Sequence, residues 1–270
     1  MRHGFAKRVG MNSPPHSLWN GRVAERVLQP ARFAVVYSLV LLLAIFTNAQ
    51  DKSSPAHKQN ARPAQSGEAA KPTEANKPDT EPVKYSYEFS QPEFYIPHIF
   101  IEHDTGGRGQ ITFKRLNEET SIVEPLEISA AAWGRISQFW QTLRFLDSDV
   151  NYQSSKQFPH LGTMRITMQQ GTRKRVAEFN WTNNTDASHL VDEYRRLADQ
   201  AIFVFDVSVA RENQPLNTPK LMDQLESMLK RNWLSDPQQL TPLLKDISTD
   251  EHLPLIARNH ALRLLKTIEK

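Results

Sequence analysis

The sequence predicts an α+β fold: an antiparallel sheet with two helices packed on one face, followed by a small all-helical C-terminal appendage. Segments with alternating apolar and polar residues come in pairs joined by turn residues, which is typical of β-hairpins. A stretch with helical periodicity follows each pair, and the last part of the chain has helical periodicity alone. These one-sided patterns indicate that the sheet and the helices bury their apolar faces against each other.

The first predicted hairpin lies between residue 85, where strand-forming residues begin, and residue 114. Residues 93–103 are rich in aromatic and β-branched side chains, residues 104–109 supply turn chemistry, and residues 111–114 resume the alternation. Residues 121–128 predict a further strand. Because Pro125 has no N–H to donate to a neighbour, we expect that strand at an edge of the sheet.

A helix and a second hairpin follow. Ser129 is a predicted N-cap, and the apolar stripe of its helix is Ile136, Phe139, Trp140, Leu143 and Leu146. The second hairpin alternates Met164, Ile166 and Met168 with polar residues before a turn at Gly171, and Ala177, Phe179 and Trp181 after it. All six are expected to face inward.

The second helix is predicted to begin at Thr185, which is a suitable N-cap. Its apolar stripe is Leu190, Tyr194, Leu197 and Ala201. Residues 202–209 are β-branched and aromatic, which suits a strand, but no turn residue separates them from the helix before them. We favour a continuing helix.

Prolines mark the starts of the C-terminal helices. Thr218 and Asp236 each precede a proline, so each is predicted to be an N-cap with proline at the first helical position. Pro254 is predicted to open the last helix. The chain therefore divides into a signal peptide or N-terminal anchor (1–49), a disordered Pro-rich linker (50–84), an α+β domain (85–213) and a helical appendage (214–270).

The N-terminal segment predicts export. Residues 33–46 form an apolar block of 14 residues after a basic leader, or about 21 Å as a helix. A bilayer core needs roughly 20 apolar residues, so a cleaved signal peptide is favoured over a retained inner-membrane anchor. Thr47 and Ala49 occupy the positions expected before a cleavage site. The leader is long, and Met11 is an alternative start to Met1.

The distribution of charge argues against nucleic-acid binding. The whole chain has a net charge of +3, and residues 1–49 account for +5, so the remainder carries −2. A near-neutral exported domain lacks the basic footprint of a nucleic-acid binder. The chain contains no cysteine, so it forms no disulfides and its core alone must hold the fold.

Two resemblances can be drawn from sequence patterns. Residues 240–268, with Leu243-Leu244 and Ala261-Leu262 among the matching positions, resemble one HEAT-type helical pair. Residues 85–209 resemble uncharacterised exported bacterial ββαββα domains, in which a helix ending like 143–147 precedes a short hairpin like 164–181. Neither resemblance implies a chemistry or a functional residue.

Few motifs suggest catalysis. The only glycine cluster, at residues 106–109, lacks the Lys-Ser/Thr pair of a phosphate-binding loop, so a hairpin turn is the better interpretation. Asp104-Thr105-Gly106 resembles the aspartic-protease signature, in which two aspartates share a proton. One copy would need a dimer, and tight turns select Asp and Gly anyway.

The histidines supply the alternative function, an exported hydrolase with a site near His103, Asp104 and His160. His103 with Glu102 and Asp104 could also join a metal shell, although surface or strand-end histidines are the simpler interpretation. We assign no catalytic residue and expect no metal and no cofactor.

Two further features could bind ligands. Arg173-Lys174-Arg175 at a hairpin tip could contact anionic lipid or polysaccharide, although a solvated turn is favoured. Tryptophans could line a sugar-binding face, but the periodicity of Trp140 and Trp181 favours the core.

The sequence as a whole favours a non-enzymatic binding or interaction module of the cell envelope, periplasmic or extracellular. Its expected partner is an envelope or extracellular protein or glycan, not nucleic acid. Membrane contact is expected only through residues 33–49, if they are uncleaved. A purely structural spacer is a third interpretation.

Overall fold

A six-stranded antiparallel sheet organises the first part of the computed structural model, which describes residues 81–269. The predicted signal segment 1–49 and residues 50–80 of the predicted linker lie outside these residues. The strand order is β4-β3-β2-β1-β5-β6. The strands are β1 (Val83–Ser90), β2 (His98–Asp104), β3 (Arg108–Lys114), β4 (Ile122–Glu127), β5 (Thr163–Gln170) and β6 (Arg173–Phe179).

The five helices of residues 81–269 confirm the α+β class. They are α1 (Ala130–Thr142), α2 (Thr185–Asn213), α3 (Thr218–Lys230), α4 (Thr241–Thr249) and α5 (Leu255–Ile268). α1 and α2 bury apolar residues in one core cluster with the sheet. α3, α4 and α5 form the all-helical C-terminal part.

The alternation of β1 shows why the sheet is covered on one side only. Tyr85, Tyr87 and Phe89 are buried, whereas Lys84 and Ser90 are exposed. Each buried ring removes apolar surface from water, which stabilises the fold by roughly 1.5–3 kcal/mol for a fully buried large apolar side chain. The opposite face of the sheet remains polar because the intervening residues project there.

α2 is a continuous helix of 29 residues, which confirms the helical interpretation of 202–209. Two of its residues, Phe203 and Val207, are fully buried in a second core cluster with α3, α4 and α5. Their burial explains why β-branched and aromatic residues remain helical here, since tertiary packing overrides weak intrinsic propensity. α2 therefore contributes to both clusters, and the predicted boundary between 213 and 214 stays a prediction.

The N-caps are partly as predicted. Ser129 Oγ accepts a hydrogen bond from Ala132 N at 3.1 Å, as expected. The cap of α2 is Asn184, whose Oδ1 accepts from Ala187 N at 2.9 Å, so the prediction of Thr185 was wrong by one residue. Asn is among the strongest N-cap residues and ranks above Thr.

The C-terminal helix starts also differ from the prediction. Thr218 is the first residue of α3, because a 3-10 turn (Pro215–Asn217) runs directly into the helix and leaves the preceding residue with helical dihedral angles. A side-chain cap needs an extended conformation there. Asp236 caps as predicted, accepting from Gln238 N at 3.0 Å, but it caps the 3-10 turn Pro237–Leu240 rather than α4 itself.

Three strand boundaries moved as well. β1 begins at Val83, inside the predicted linker, because the Val83 side chain is buried and the residue pairs with Gln170 of β5. β2 begins at His98 because Pro92 and Pro97 flank a turn. β6 ends at Phe179, so Trp181 lies beyond the strand and is half-buried rather than fully inside. The edge position predicted from Pro125 is confirmed, since within residues 81–269 β4 pairs only with β3.

Candidate functional site

His103, the central residue of the predicted catalytic alternative, is buried in an aromatic cluster. Its ring stacks on Tyr85, with ring centroids 5.3 Å apart, and meets Trp133 edge-on. Its Nε2 lies 2.8 Å from the Tyr194 hydroxyl, and its Nδ1 lies 2.8 Å from the backbone oxygen of Asp104. Only 4% of the residue is exposed, so the imidazole has little access to a substrate.

The hydrogen-bond directions in this cluster follow from the partners. A carbonyl oxygen only accepts, so Nδ1 of His103 carries the proton and donates to it. Nε2 then accepts from the Tyr194 hydroxyl, whose oxygen in turn accepts from Trp140 Nε1–H at 3.1 Å. Burial lowers the pKa of His103, which agrees with a neutral ring. Every polar atom of this chain of bonds is used, so the cluster has a structural role.

Asp104 serves the turn between β2 and β3. Its Oδ1 accepts from Gly106 N at 2.8 Å and from Arg108 N at 3.0 Å. The bond from Arg108 N–H, followed by that from Gly106, holds the pKa of this exposed carboxyl below its usual value. This is the turn interpretation of Asp104-Thr105-Gly106.

His160 lies at the other end of the sheet. It is exposed in a 3-10 turn (Pro159–Leu161) just before β5. β5 begins opposite Ser90, whereas His103 pairs with Tyr85, and these two β1 positions are about 17 Å apart at roughly 3.3 Å per residue. The structure therefore does not bring His160 together with His103 and Asp104.

The remaining predicted ligand residues have structural partners or lie apart. Glu102 accepts from Gln110 Nε2 at 2.8 Å, and within residues 81–269 no three His, Asp or Glu side chains are grouped to hold a metal ion. Arg173 pairs with Asp147, and the Arg175 guanidinium lies 4.6 Å from the centre of the Phe145 ring. These two arginines fasten the segment after α1 to β6.

A groove with a volume of about 390 Å³ lies between β4 and the second half of α2. Sequence reasoning did not identify it. The lining residues are Glu124, Pro125, Leu126 and Glu127 from β4, and Leu197, Gln200, Ala201, Val204, Phe205, Ser208, Val209 and Glu212 from α2.

The backbone of β4 presents a partly blocked edge to the groove. Ile128 N donates to Gly107 O at 2.8 Å, and because the pattern alternates, residues 122, 124 and 126 also direct their backbone groups toward β3. The backbone groups of Val123, Pro125 and Glu127 therefore face outward. Pro125 has no N–H to offer at this edge.

A chain of amide side chains begins at Gln200, which lines the groove. Gln200 accepts from Asp236 N at 2.9 Å and donates from Nε2 to Gln239 Oε1 at 3.1 Å. Gln239 Nε2 then donates to the outward-facing Glu127 O at 3.1 Å. This chain of hydrogen bonds ties β4, α2 and the turn before α4 together beside the groove.

The rim of the groove is acidic. Glu124 pairs with the fully buried Ile111, so its side chain lies on the helix-covered face of the sheet. Glu212 flanks the same opening. Glu127 follows the buried Leu126, so its side chain projects from the opposite face of the sheet, where Arg108 is its cross-strand partner. Among the ion pairs formed within residues 81–269, none involves Glu124 or Glu212. Arg115, which follows β3, is engaged with Asp206 and Glu118.

Two sequence signals pointed toward the groove without identifying it. Pro125 indicated the edge strand, and Leu197 and Ala201 belonged to the predicted stripe of α2. What the sequence could not show was that this stripe continues past the edge of the sheet, leaving Val204 36% exposed.

Within residues 81–269, no helix combines the length and apolarity needed to cross a membrane. No protein-family model matches the chain, and no curated protein is significantly similar to it.

Proposed function

We propose that this chain is a non-enzymatic interaction module of the cell envelope, and that it holds its partner in the groove between β4 and α2. The observation that carries the proposal is an open apolar surface beside the partly blocked edge of β4. Concave, largely apolar sites with a few placed polar groups are the usual form of a binding site, and free sheet edges are a recurring place for peptide recognition.

The surroundings of the groove support a binding role. Ala201 and Val204 form an open apolar floor, and Phe205 below them packs against Phe113 with ring centroids 5.5 Å apart. That floor is rigid because α2 is buried in both core clusters. A preformed surface loses little conformational entropy when a partner binds.

The cellular location in this proposal rests on the sequence. The apolar residues 33–46 and the Pro-rich tract after them support export to the periplasm or the extracellular space, or retention at the inner membrane on a tether. A partner of the envelope or extracellular space, protein or glycan, follows from that location.

Photo-crosslinking in the native cells tests the proposal. Because the chain has no cysteine, Val204→Cys carries a benzophenone maleimide at a single position in the groove. Val176→Cys is the matched control, because Val176 is an equally small side chain, 48% exposed on β6 at the opposite edge of the sheet.

We expect the Val204 probe to attach to one discrete partner that mass spectrometry identifies and that the Val176 probe does not reach. The same mixture of proteins attached at both positions, in similar yield, would show that the groove has no partner of its own.

A further inference from the structure

We infer that the groove takes an extended peptide segment that combines lysine or arginine with small apolar side chains. This inference rests on the proposed function, because it names the chemistry of the partner for the same groove. It is carried by three features of the groove: the placement of the carboxylates, the apolar floor, and the restricted backbone edge of β4.

The carboxylates select for a cation. Glu124 lies inside the groove on the helix-covered face, and Glu212 lies at its opening. Two negative charges without an ion-pair partner among the described residues create a field that attracts a positive group. A half-buried carboxylate such as Glu124 is screened less by salt than an exposed one, so it is the main charge contact.

The floor selects for small apolar side chains. Ala201 and Val204 are one helical turn apart on α2, and Ser208 continues the same stripe. From Ala201 to Glu212 the stripe is about 17 Å long at 1.5 Å per residue. An extended chain rises about 3.3 Å per residue, so roughly five residues cover it.

The edge of β4 argues for an extended segment that is recognised by its side chains. At the outward positions, Val123 offers both an N–H and a C=O, Pro125 offers only a C=O, and the C=O of Glu127 is already bonded to Gln239. A regular ladder of strand hydrogen bonds cannot form past Val123. Main-chain pairing therefore anchors one end of the peptide, and its charged and apolar side chains supply the selectivity.

Peptide binding to the full-length chain tests this inference. Because the full-length chain includes the apolar residues 33–46, it is held in nanodiscs of zwitterionic lipid. Empty nanodiscs report how much of the peptide adsorbs to lipid alone. The probe is a fluorescent nonapeptide of alternating lysine and valine with serine at both ends. A one-residue shift exchanges the two faces of an extended peptide, so this probe can present lysine to Glu124 in either register. Two analogues replace every lysine with glutamate or every valine with serine.

We expect the lysine–valine peptide to bind, and both analogues to bind at least tenfold more weakly. Glu124→Gln should weaken binding of the lysine–valine peptide about tenfold, whereas Glu251→Gln, an exposed carboxylate before α5, should change it less than twofold. Val204→Lys should also weaken binding, through charge repulsion, and it replaces Glu124→Gln if that variant does not fold.

Equal binding of the glutamate analogue, or equal losses in Glu124→Gln and Glu251→Gln, would overturn the inference. So would a concentration-dependent dimer that Val204→Lys abolishes, because a second copy of the chain would then be the occupant. If the Val204 probe captures a discrete partner but none of the peptides bind, this inference fails while the proposed function stands. If neither experiment detects binding, both fail.

Discussion

At the scale of single residues, the chain of bonds from Trp140 through Tyr194 to His103 explains why a histidine can lie inside an apolar core. Each polar atom has a partner with a defined direction, and buried polar groups are tolerated when they are hydrogen-bonded. Sequence reasoning identified His103 as a residue of interest, but it could not show that its partner would be a tyrosine 91 positions later in the chain.

Tyr194→Phe tests this network. The ring and its stacking on Tyr87 remain, but Trp140 Nε1–H and His103 Nε2 lose their shared partner. Leaving two buried groups unsatisfied should lower the free energy of unfolding by about 2 kcal/mol, measured by urea denaturation. The control Tyr95→Phe, at a residue that is 56% exposed, should change it by less than about 0.5 kcal/mol. Equal effects would refute the network.

The same network predicts a dependence on pH. Burial lowers the pKa of His103 below its ordinary 6.5, partly opposed by the backbone oxygen and carboxylate of Asp104. The unfolded chain therefore binds a proton before the folded one does. The stabilising contribution is fully present above pH 6.5 and declines as the pH falls below that value.

We expect the unmodified chain to lose more stability between pH 7.5 and pH 5 than His103→Gln does, measured by thermal melting across this range. Parallel curves for the two proteins would mean that His103 does not titrate differently in the folded state.

At the scale of elements, β4 shows what a single residue type can predict. Pro125 placed this strand at an edge of the sheet, and the structure agrees because proline there costs no bond to β3. The ends of elements were less predictable. The predicted caps at Thr185 and Thr218 were wrong for different reasons. Asn184 has the extended backbone that a capping residue needs, so the cap of α2 lies one residue before Thr185. Thr218 is itself the first residue of α3, and the residue before it has helical backbone angles.

Pro125→Thr tests the role of that edge. The new N–H points away from β3, so the hydrogen bonds between β3 and β4 are unchanged. The free energy of unfolding should therefore change by less than about 0.5 kcal/mol, as for most surface substitutions. The edge of β4 then gains a donor, and free edges promote association between chains. We expect faster self-association in sedimentation experiments. Thr112→Val, on the neighbouring inner strand, is the control and should stay monodisperse to the same degree as the unmodified chain.

At the scale of the whole molecule, α2 determines where a site can form. Its first half covers the sheet and its second half enters the C-terminal cluster. Between these two regions the stripe containing Ala201 and Val204 passes the edge of β4 without full cover. The class of fold was predictable from alternation and helical periodicity. The groove was not, because it depends on the angle at which one helix leaves the sheet.

The predicted hydrolase site illustrates the same limit. His103, Asp104 and His160 are suitable residue types, but the register of β1 with β2 and β5 separates His160 from the other two. The hydrophobic pattern and the turns set the register within each hairpin, but no local sequence pattern reports that β5 lies beside β1.

The most direct test of the account is the yield of photo-crosslinking from Val204→Cys against that from Val176→Cys in the native cells. The account predicts one partner at Val204, at a yield at least several-fold above that at Val176. Equal yields with the same proteins at both positions would contradict it, because a groove that binds a partner must differ from an ordinary exposed strand.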